Sequence, residues 1–119
     1  MLINILTPNF EFEDERGKLV QLIREGYKQF NIIFSNKNVE RGDHYHKENS
    51  EAFYIITGKI NLRTERDGIL EEYTFAKGDM FEIPPFVIHR FYYAEDTWLA
   101  SMYSNGVELA NGEKDIYTE

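Results

Sequence analysis

The chain has 119 residues and a mass of 14.1 kDa, enough for one packed domain and too short for a second core or a repeat array. Apolar residues make up 42% and aromatic residues 15%, which excludes disorder as the main state. A balance of 13 basic against 21 acidic side chains gives a net charge of −8, which argues against nucleic-acid and anionic membrane partners, and the lack of cysteine removes disulfides, thiolate metal sites and cysteine nucleophiles together.

The N-terminal run Met1-Leu-Ile-Asn-Ile-Leu6 lacks the basic start and long apolar stretch of a secretory signal. No segment approaches the ~20 apolar residues that cross a bilayer, so the chain reads as soluble and cytoplasmic. Between residues 19 and 30 two patterns compete. Leu19, Leu22, Ile23, Tyr27 and Phe30 fall at helical spacing, yet Gly26 interrupts them, and the same stretch also alternates as a strand would. The short strands around it favour strand.

Those strands follow in order. Residues 29–35 and 52–57 are rich in aromatic and β-branched side chains, and 59–65 alternates apolar with polar. Asp67-Gly68 before the run 69–75 is a hairpin signal, because a type I′ turn needs positive φ at both central residues. Residues 79–83 stop at Pro84-Pro85, and 88–94 and 97–103 complete the set. Many short strands with Gly, Pro and Asn punctuation predict an all-β antiparallel barrel or sandwich. Residues 1–104 form the single domain, and 105–119 reads as a polar tail or a short docking arm.

All three histidines of the chain are candidate ligands. His44 and His46 are two apart, so an extended strand turns both rings to one face. Glu51 reaches them if residues 47–50 turn back, and His89 joins them if its strand lies alongside. Three imidazoles and a carboxylate without thiolate suit a divalent Zn, Fe, Ni or Mn ion.

The segment from Arg41 to Gly58 resembles the first cupin motif, met at His44, His46, Glu51 and Gly58. Gly78, Pro84 and His89 resemble the second. The resemblance implies a jelly roll, the double-stranded β-helix, with the ligands facing its mouth. Two positions depart from the pattern. Phe86 stands where the second motif usually has Gly, and Tyr93 stands at its trailing Asn. Phe91 and Tyr93 share the face of His89 and are expected to line the cavity. Asp14-Glu-Arg-Gly17 and Arg41-Gly-Asp-His44 are similar to motifs of small cupins that epimerise or isomerise nucleotide-linked deoxysugars.

That second likeness implies an enzyme of polysaccharide biosynthesis that moves a proton beside the keto group of a nucleotide sugar. His44 is then base or ligand, Tyr93 or Tyr103 supplies a phenol, and Arg16, Lys18 or Arg41 meets the phosphates. An iron-dependent dioxygenase and a non-catalytic sugar-binding module are the alternatives on the same frame. A homodimer is expected, with a partner covering an edge strand through N-terminal strands such as residues 2–6.

Overall fold

A computed structural model describes residues 1–118. The strands are β1 (Asn4–Leu6), β2 (Phe10–Asp14), β3 (Gly17–Gln21), β4 (Gln29–Ser35), β5 (Glu40–Tyr45), β6 (Glu51–Thr57), β7 (Lys59–Arg66), β8 (Ile69–Ala76), β9 (Met80–Ile83), β10 (Ile88–Tyr93), β11 (Thr97–Tyr103) and β12 (Tyr117–Thr118). Two five-stranded antiparallel sheets form, in the orders β1-β9-β6-β11-β4 and β12-β5-β10-β7-β8. This is the all-β jelly roll of the cupins, as the strand pattern and the motifs predicted.

Period-two alternation decides which side chains meet between the sheets. In β7, Ile60, Leu62 and Thr64 point inward while Lys59, Asn61 and Arg63 face water. Ile60 and Leu62 join Phe53, Ile55, Phe81, Ile83, Phe91 and Leu99 in one buried cluster. Phe75 and Phe81 stack at 4.3 Å, and Phe81 is fully buried, so its loss costs about 3–5 kcal/mol. Arg66 pairs with Ile69 across Asp67 (φ 51°) and Gly68 (φ 80°), the two-residue type I′ hairpin read from Asp-Gly.

The ambiguous stretch resolves into two parts. Strand β3 ends at Gln21, and residues 22–28 are irregular, with no helix. Leu22, Ile23 and Tyr27 pack on the outer face of the first sheet against Ala52, Met80, Ala100 and Met102. Their helix-like spacing therefore reflects cover for a second apolar patch, not a helical stripe.

The N-terminal strand was expected to serve a partner. Here β1 pairs with β9 of its own chain, Ile5 opposite Phe81. The other side of β1 is a free sheet edge, and there are two more unpartnered surfaces. Strands β2 and β3 pair only with each other, leaving Phe10, Phe12 and Leu19 exposed. Strand β4 is a sheet edge, with Phe30, Ile32 and Phe34 also exposed on its outer side.

Residues 105–118 lie against the barrel. Strand β12 adds to β5, Tyr117 opposite Tyr45, and Asp115 is completely buried. At the departure from the second motif, Phe86 has φ 67°, the conformation a type II turn needs after Pro85 and one that Gly adopts freely. A bulky residue there costs roughly 1 kcal/mol or more. Its N–H donates to the His46 carbonyl at 2.7 Å, which ties the two motifs together.

Candidate functional site

The site begins at a bulge. Strand β10 runs beside β5 with His89 opposite His44, but the next residue, Arg90, faces Gly42. Asp43 is thus an extra residue in β5, at φ 60°, with its carboxylate held by the Arg90 guanidinium at 2.7 Å. Gly42 has φ 126°, and a Cβ there would stand 2.4 Å from the His89 carbonyl oxygen. The Arg-Gly-Asp-His run is therefore a strand pressed against its neighbour and kinked by one residue, a device that re-aims the following side chain. That side chain is His44. His46 lies just past the strand end, and the turn at residues 47–50 delivers Glu51 at the start of β6, in the opposite sheet. His89 enters from β10.

The ring nitrogens of His44, His46 and His89 converge, with one ligand atom of each lying within 4.8 Å of the others. The Nδ1 of His46 is 2.6 Å from the main-chain carbonyl of Asp115, and the Nδ1 of His89 is 3.0 Å from that of Val87. A carbonyl only accepts, so both rings carry a proton on Nδ1 and turn the Nε2 lone pair into the cluster. Glu51 Oε1 meets them there, 3.1 Å from His46 Nε2 and 3.9 Å from His89 Nε2. Its other oxygen accepts from the Ser101 hydroxyl. His89 Nε2 is buried and has no hydrogen-bond partner among the described residues.

Burial pushes the His89 pKa down to about 4, with the Glu51 charge offsetting only part of the effect. His44 is also lowered, by burial and then by His46. For His46 burial acts in the same direction, but hydrogen bonds to Glu51 and the Asp115 carbonyl outweigh it and raise the pKa. Near neutral pH, His44 and His89 are therefore neutral imidazoles, and His46 is the ring best able to hold a proton, against Glu51.

The donor set fits a divalent cation. Two ligands of one ion at about 2.1 Å and a right angle stand about 3 Å apart, close to the His46–Glu51 separation. An ion there also satisfies the orphaned His89 nitrogen. The carbonyls on both Nδ1 atoms fix the rings as the outer partners of ligating histidines do.

Beside the cluster is a cavity of about 110 Å³, walled by Arg41, His44, Phe91, Tyr93 and Tyr103 among others. Arg41 Nε donates to Ser35 Oγ at 2.9 Å. The Tyr103 ring meets His46 edge-on at 5.2 Å. Burial raises the pKa of both Tyr93 and Tyr103, and Glu51 adds to the rise at Tyr103, so both phenols are protonated near neutral pH.

The structure thus brings together His44, His46, Glu51 and His89, with Arg41, Phe91, Tyr93 and Tyr103 around the adjoining space. It does not bring Arg16 or Lys18. Both belong to the β2–β3 hairpin, no residue of which lines the cavity. Arg16 closes on Asp14 at 2.6 Å, and Lys18 pairs with Glu11 at 3.3 Å. Among the described residues the hairpin strands pair only with each other. Two contributors were missed. Ser101 shares the strand parity of Tyr103, a signal that was available. Asp115 acts on His46 through its main chain, which leaves no trace in residue type.

The family model described as polysaccharide biosynthesis C-terminal domain matches residues 12–114. The chain belongs to that family. No curated protein matches it. Among solved structures, this family member is similar to a 3,4-ketoisomerase from Helicobacter canadensis, with a TM-score of 0.83 at 18% identity over 100% of this chain and 92% of the other. It is also similar to a dTDP-4-dehydrorhamnose 3,5-epimerase from Sulfolobus tokodaii, with a TM-score of 0.74 at 24% identity over 87% and 70%. The capsular polysaccharide assembling protein CapF of Staphylococcus aureus matches with a TM-score of 0.69 at 21% identity, over 92% of this chain and 33% of that one. At these identities the likeness is one of fold. No helix among the described residues is long and apolar enough to cross a membrane.

Proposed function

We propose that this polysaccharide-biosynthesis family member moves a proton beside the keto group of a nucleotide-linked sugar, as an epimerase or ketoisomerase. The observation that carries the reading is the pair of Nε2 lone pairs from His46 and His89 meeting Glu51 at the wall of a cavity that also holds His44, Arg41 and two protonated phenols. The likeness in fold to a dTDP-4-dehydrorhamnose 3,5-epimerase and a 3,4-ketoisomerase supports the substrate class. The cavity, at about 110 Å³, is well below the size that encloses a drug-sized ligand, so it suits the reacting part of a sugar while the nucleotide stays outside.

In this reading His44, His46, Glu51 and His89 hold a divalent Zn, Fe, Ni or Mn ion. Such an ion supplies a Lewis acid that stabilises negative charge developing on the keto oxygen. The chain's own groups do the rest. Arg41, oriented by Ser35, pairs with anionic oxygen of the substrate. His44, released to the cavity while His46, Glu51 and His89 keep the ion, takes the proton from the carbon beside the keto group. Tyr103 or Tyr93 gives its own proton to the receiving carbon, and proton exchange between imidazolium and phenolate restores both. Phe91 and Leu99 keep the space apolar and limit water.

A second reading rests on the 3.1 Å His46–Glu51 contact. One proton shared there satisfies both atoms without an ion, and neutral His44, facing the cavity, is then free to act as general base. Incubation with dTDP-4-keto-6-deoxy sugars in deuterated water tests the shared core of both readings. Deuterium is expected at the carbon beside the keto group. No exchange across a panel of such sugars, with metal and without, removes the proposal.

The reading includes a homodimer. Phe10, Phe12 and Leu19 on the free hairpin, and Phe30, Ile32 and Phe34 on the open edge strand β4, are two apolar surfaces with unused backbone hydrogen-bonding groups. A second copy offers each the complement of the other.

A further inference from the structure

We propose that Asp115 is a positioning residue that locks His46 as the Nδ1–H tautomer. Its carboxylate and its main-chain carbonyl do separate work. The carboxylate is completely buried and takes three donors, the N–H groups of Lys47 at 2.8 Å and Glu48 at 2.9 Å and the side-chain amide of Asn49 at 2.8 Å. These bonds cap the turn that joins His46 to Glu51, the two residues whose spacing sets the cluster. They also clamp the C-terminal arm to that turn. Asn49, itself fully buried, accepts from the N–H groups of Asn105 and Gly106 and donates to the Gly106 carbonyl, so the far end of the arm is held by the same turn. The Asp115 N–H donates to the Val107 carbonyl at 2.8 Å, closing the arm on itself.

So anchored, the Asp115 carbonyl stands 2.6 Å from His46 Nδ1. Free imidazole has two tautomers, and the one with the proton on Nε2 would aim an N–H at Glu51 and leave no lone pair for the cluster. The carbonyl removes that choice. A residue 69 positions away in the chain thereby decides which nitrogen of His46 is a donor and which an acceptor. His89 obtains the same result locally, from Val87 two residues before it, and needs no arm. Asp115 follows directly on the last residue of the family match.

The inference rests on His46 being part of the site, but its primary test needs neither metal nor substrate. The full-length, metal-free protein, labelled with 15N at histidine, is examined by NMR in wild-type form and as Asp115→Ala. Wild-type His46 is expected to carry a proton on Nδ1 whether or not Nε2 also holds the proton it shares with Glu51. In Asp115→Ala, His46 is expected to become a tautomeric mixture while His89 keeps its wild-type pattern, a contrast that a general loss of structure would not produce. Asp115→Asn keeps the oxygen that faces Lys47 but turns an NH2 toward the donors of Glu48 and Asn49. It is expected to fall between the two, and it carries the comparison if the alanine variant does not fold. Titration with Co2+ alone is the second readout, with binding weakened 10- to 100-fold in Asp115→Ala. A wild-type His46 with no proton on Nδ1, or folded variants whose His46 Nδ1 stays as protonated as in the wild type, overturns the inference. A normal tautomer pattern with no Co2+ binding in the wild type leaves the positioning role standing and counts against the metal reading instead.

Discussion

Glu51 Oε1 and His46 Nε2 face each other at 3.1 Å inside the barrel, a carboxylate oxygen against a ring nitrogen whose partner nitrogen is already committed to the Asp115 carbonyl. Two acceptors at that distance require a proton or a cation between them. Glu51→Gln separates the demands of folding from those of function. Its amide donates to the His46 lone pair, so the metal-free variant is expected to stay within about 1 kcal/mol of wild type in urea unfolding. Its metal affinity is expected to fall at least 10-fold. Equal metal affinity in the two proteins contradicts the ligand role of Glu51.

The buried histidine gives the acid limb of stability a defined shape. His89 is neutral in the fold with a pKa near 4, against an ordinary value of 6.5. A lowered folded pKa means that the unfolded chain takes the proton first as pH falls. Its contribution is therefore full above 6.5 and lost as pH drops toward 4, by roughly 3 kcal/mol at most. His44 acts in the same sense. His46, raised, acts oppositely, since its contribution is full below 6.5 and lost as pH rises through its folded value. Urea midpoints of the chelated protein at pH 7 and pH 4.5 check this. A flat profile, or one unaltered in His89→Gln, is inconsistent with a buried neutral ring.

Gly42 is required by space as well as by φ. A methyl group there meets the His89 carbonyl oxygen at 2.4 Å and the Arg90 Cα at 2.8 Å, both backbone. Gly42→Ala must push β5 from β10 and carry His44 with it. The expected loss is roughly 3 kcal/mol, read as a lowered denaturant midpoint. An alanine variant of wild-type stability would mean that the bulge is not as described.

Much of the site was legible because its rules are local. His-x-His depends only on strand pleat, and the reach from His46 to Glu51 depends on one short turn. His89 needed a correct pairing of β10 with β5, which the cupin motifs supplied. The fold was legible for the same reason, since β4 and β11 match to the residue the runs marked out by composition and punctuation, and β7 follows the alternation of 59–65 with one residue added. What escaped was set by tertiary partners. Leu22, Ile23 and Tyr27 imitate a helix because they cap a patch on another element. In the β2–β3 hairpin Phe10, Glu11, Phe12 and Glu13 do alternate, but both faces of the strand are largely exposed, so the pattern marks no core. Arg16 and Lys18 carry a recognisable motif, but a motif does not say which barrel its hairpin serves.

Tyr103 can be tested without disturbing its packing. Tyr103→Phe keeps the ring against His46 at 5.2 Å and removes only the hydroxyl. Stability is expected to change by about 1 kcal/mol or less, and turnover of a keto-sugar nucleotide to fall roughly 10²- to 10⁴-fold. Unchanged turnover assigns the acid role to another group.

The hairpin surface makes a separate prediction. Phe12 is 50% exposed beside Leu19 on an element with no partner in its own chain. Phe12→Asp should leave the barrel folded and shift the mass measured by light scattering from two chains to one. A wild-type protein that is already monomeric at high concentration rules out the homodimer.

The most direct test is elemental analysis of purified protein, wild type beside His46→Ala, after loading with each of Zn2+, Fe2+, Ni2+ and Mn2+ and removal of free metal. One ion per chain is expected in the wild type with at least one of these metals, and none in the variant. Equal metal in both proteins, or a wild type that retains none of the four, would show that the histidines and Glu51 do not form a metal centre.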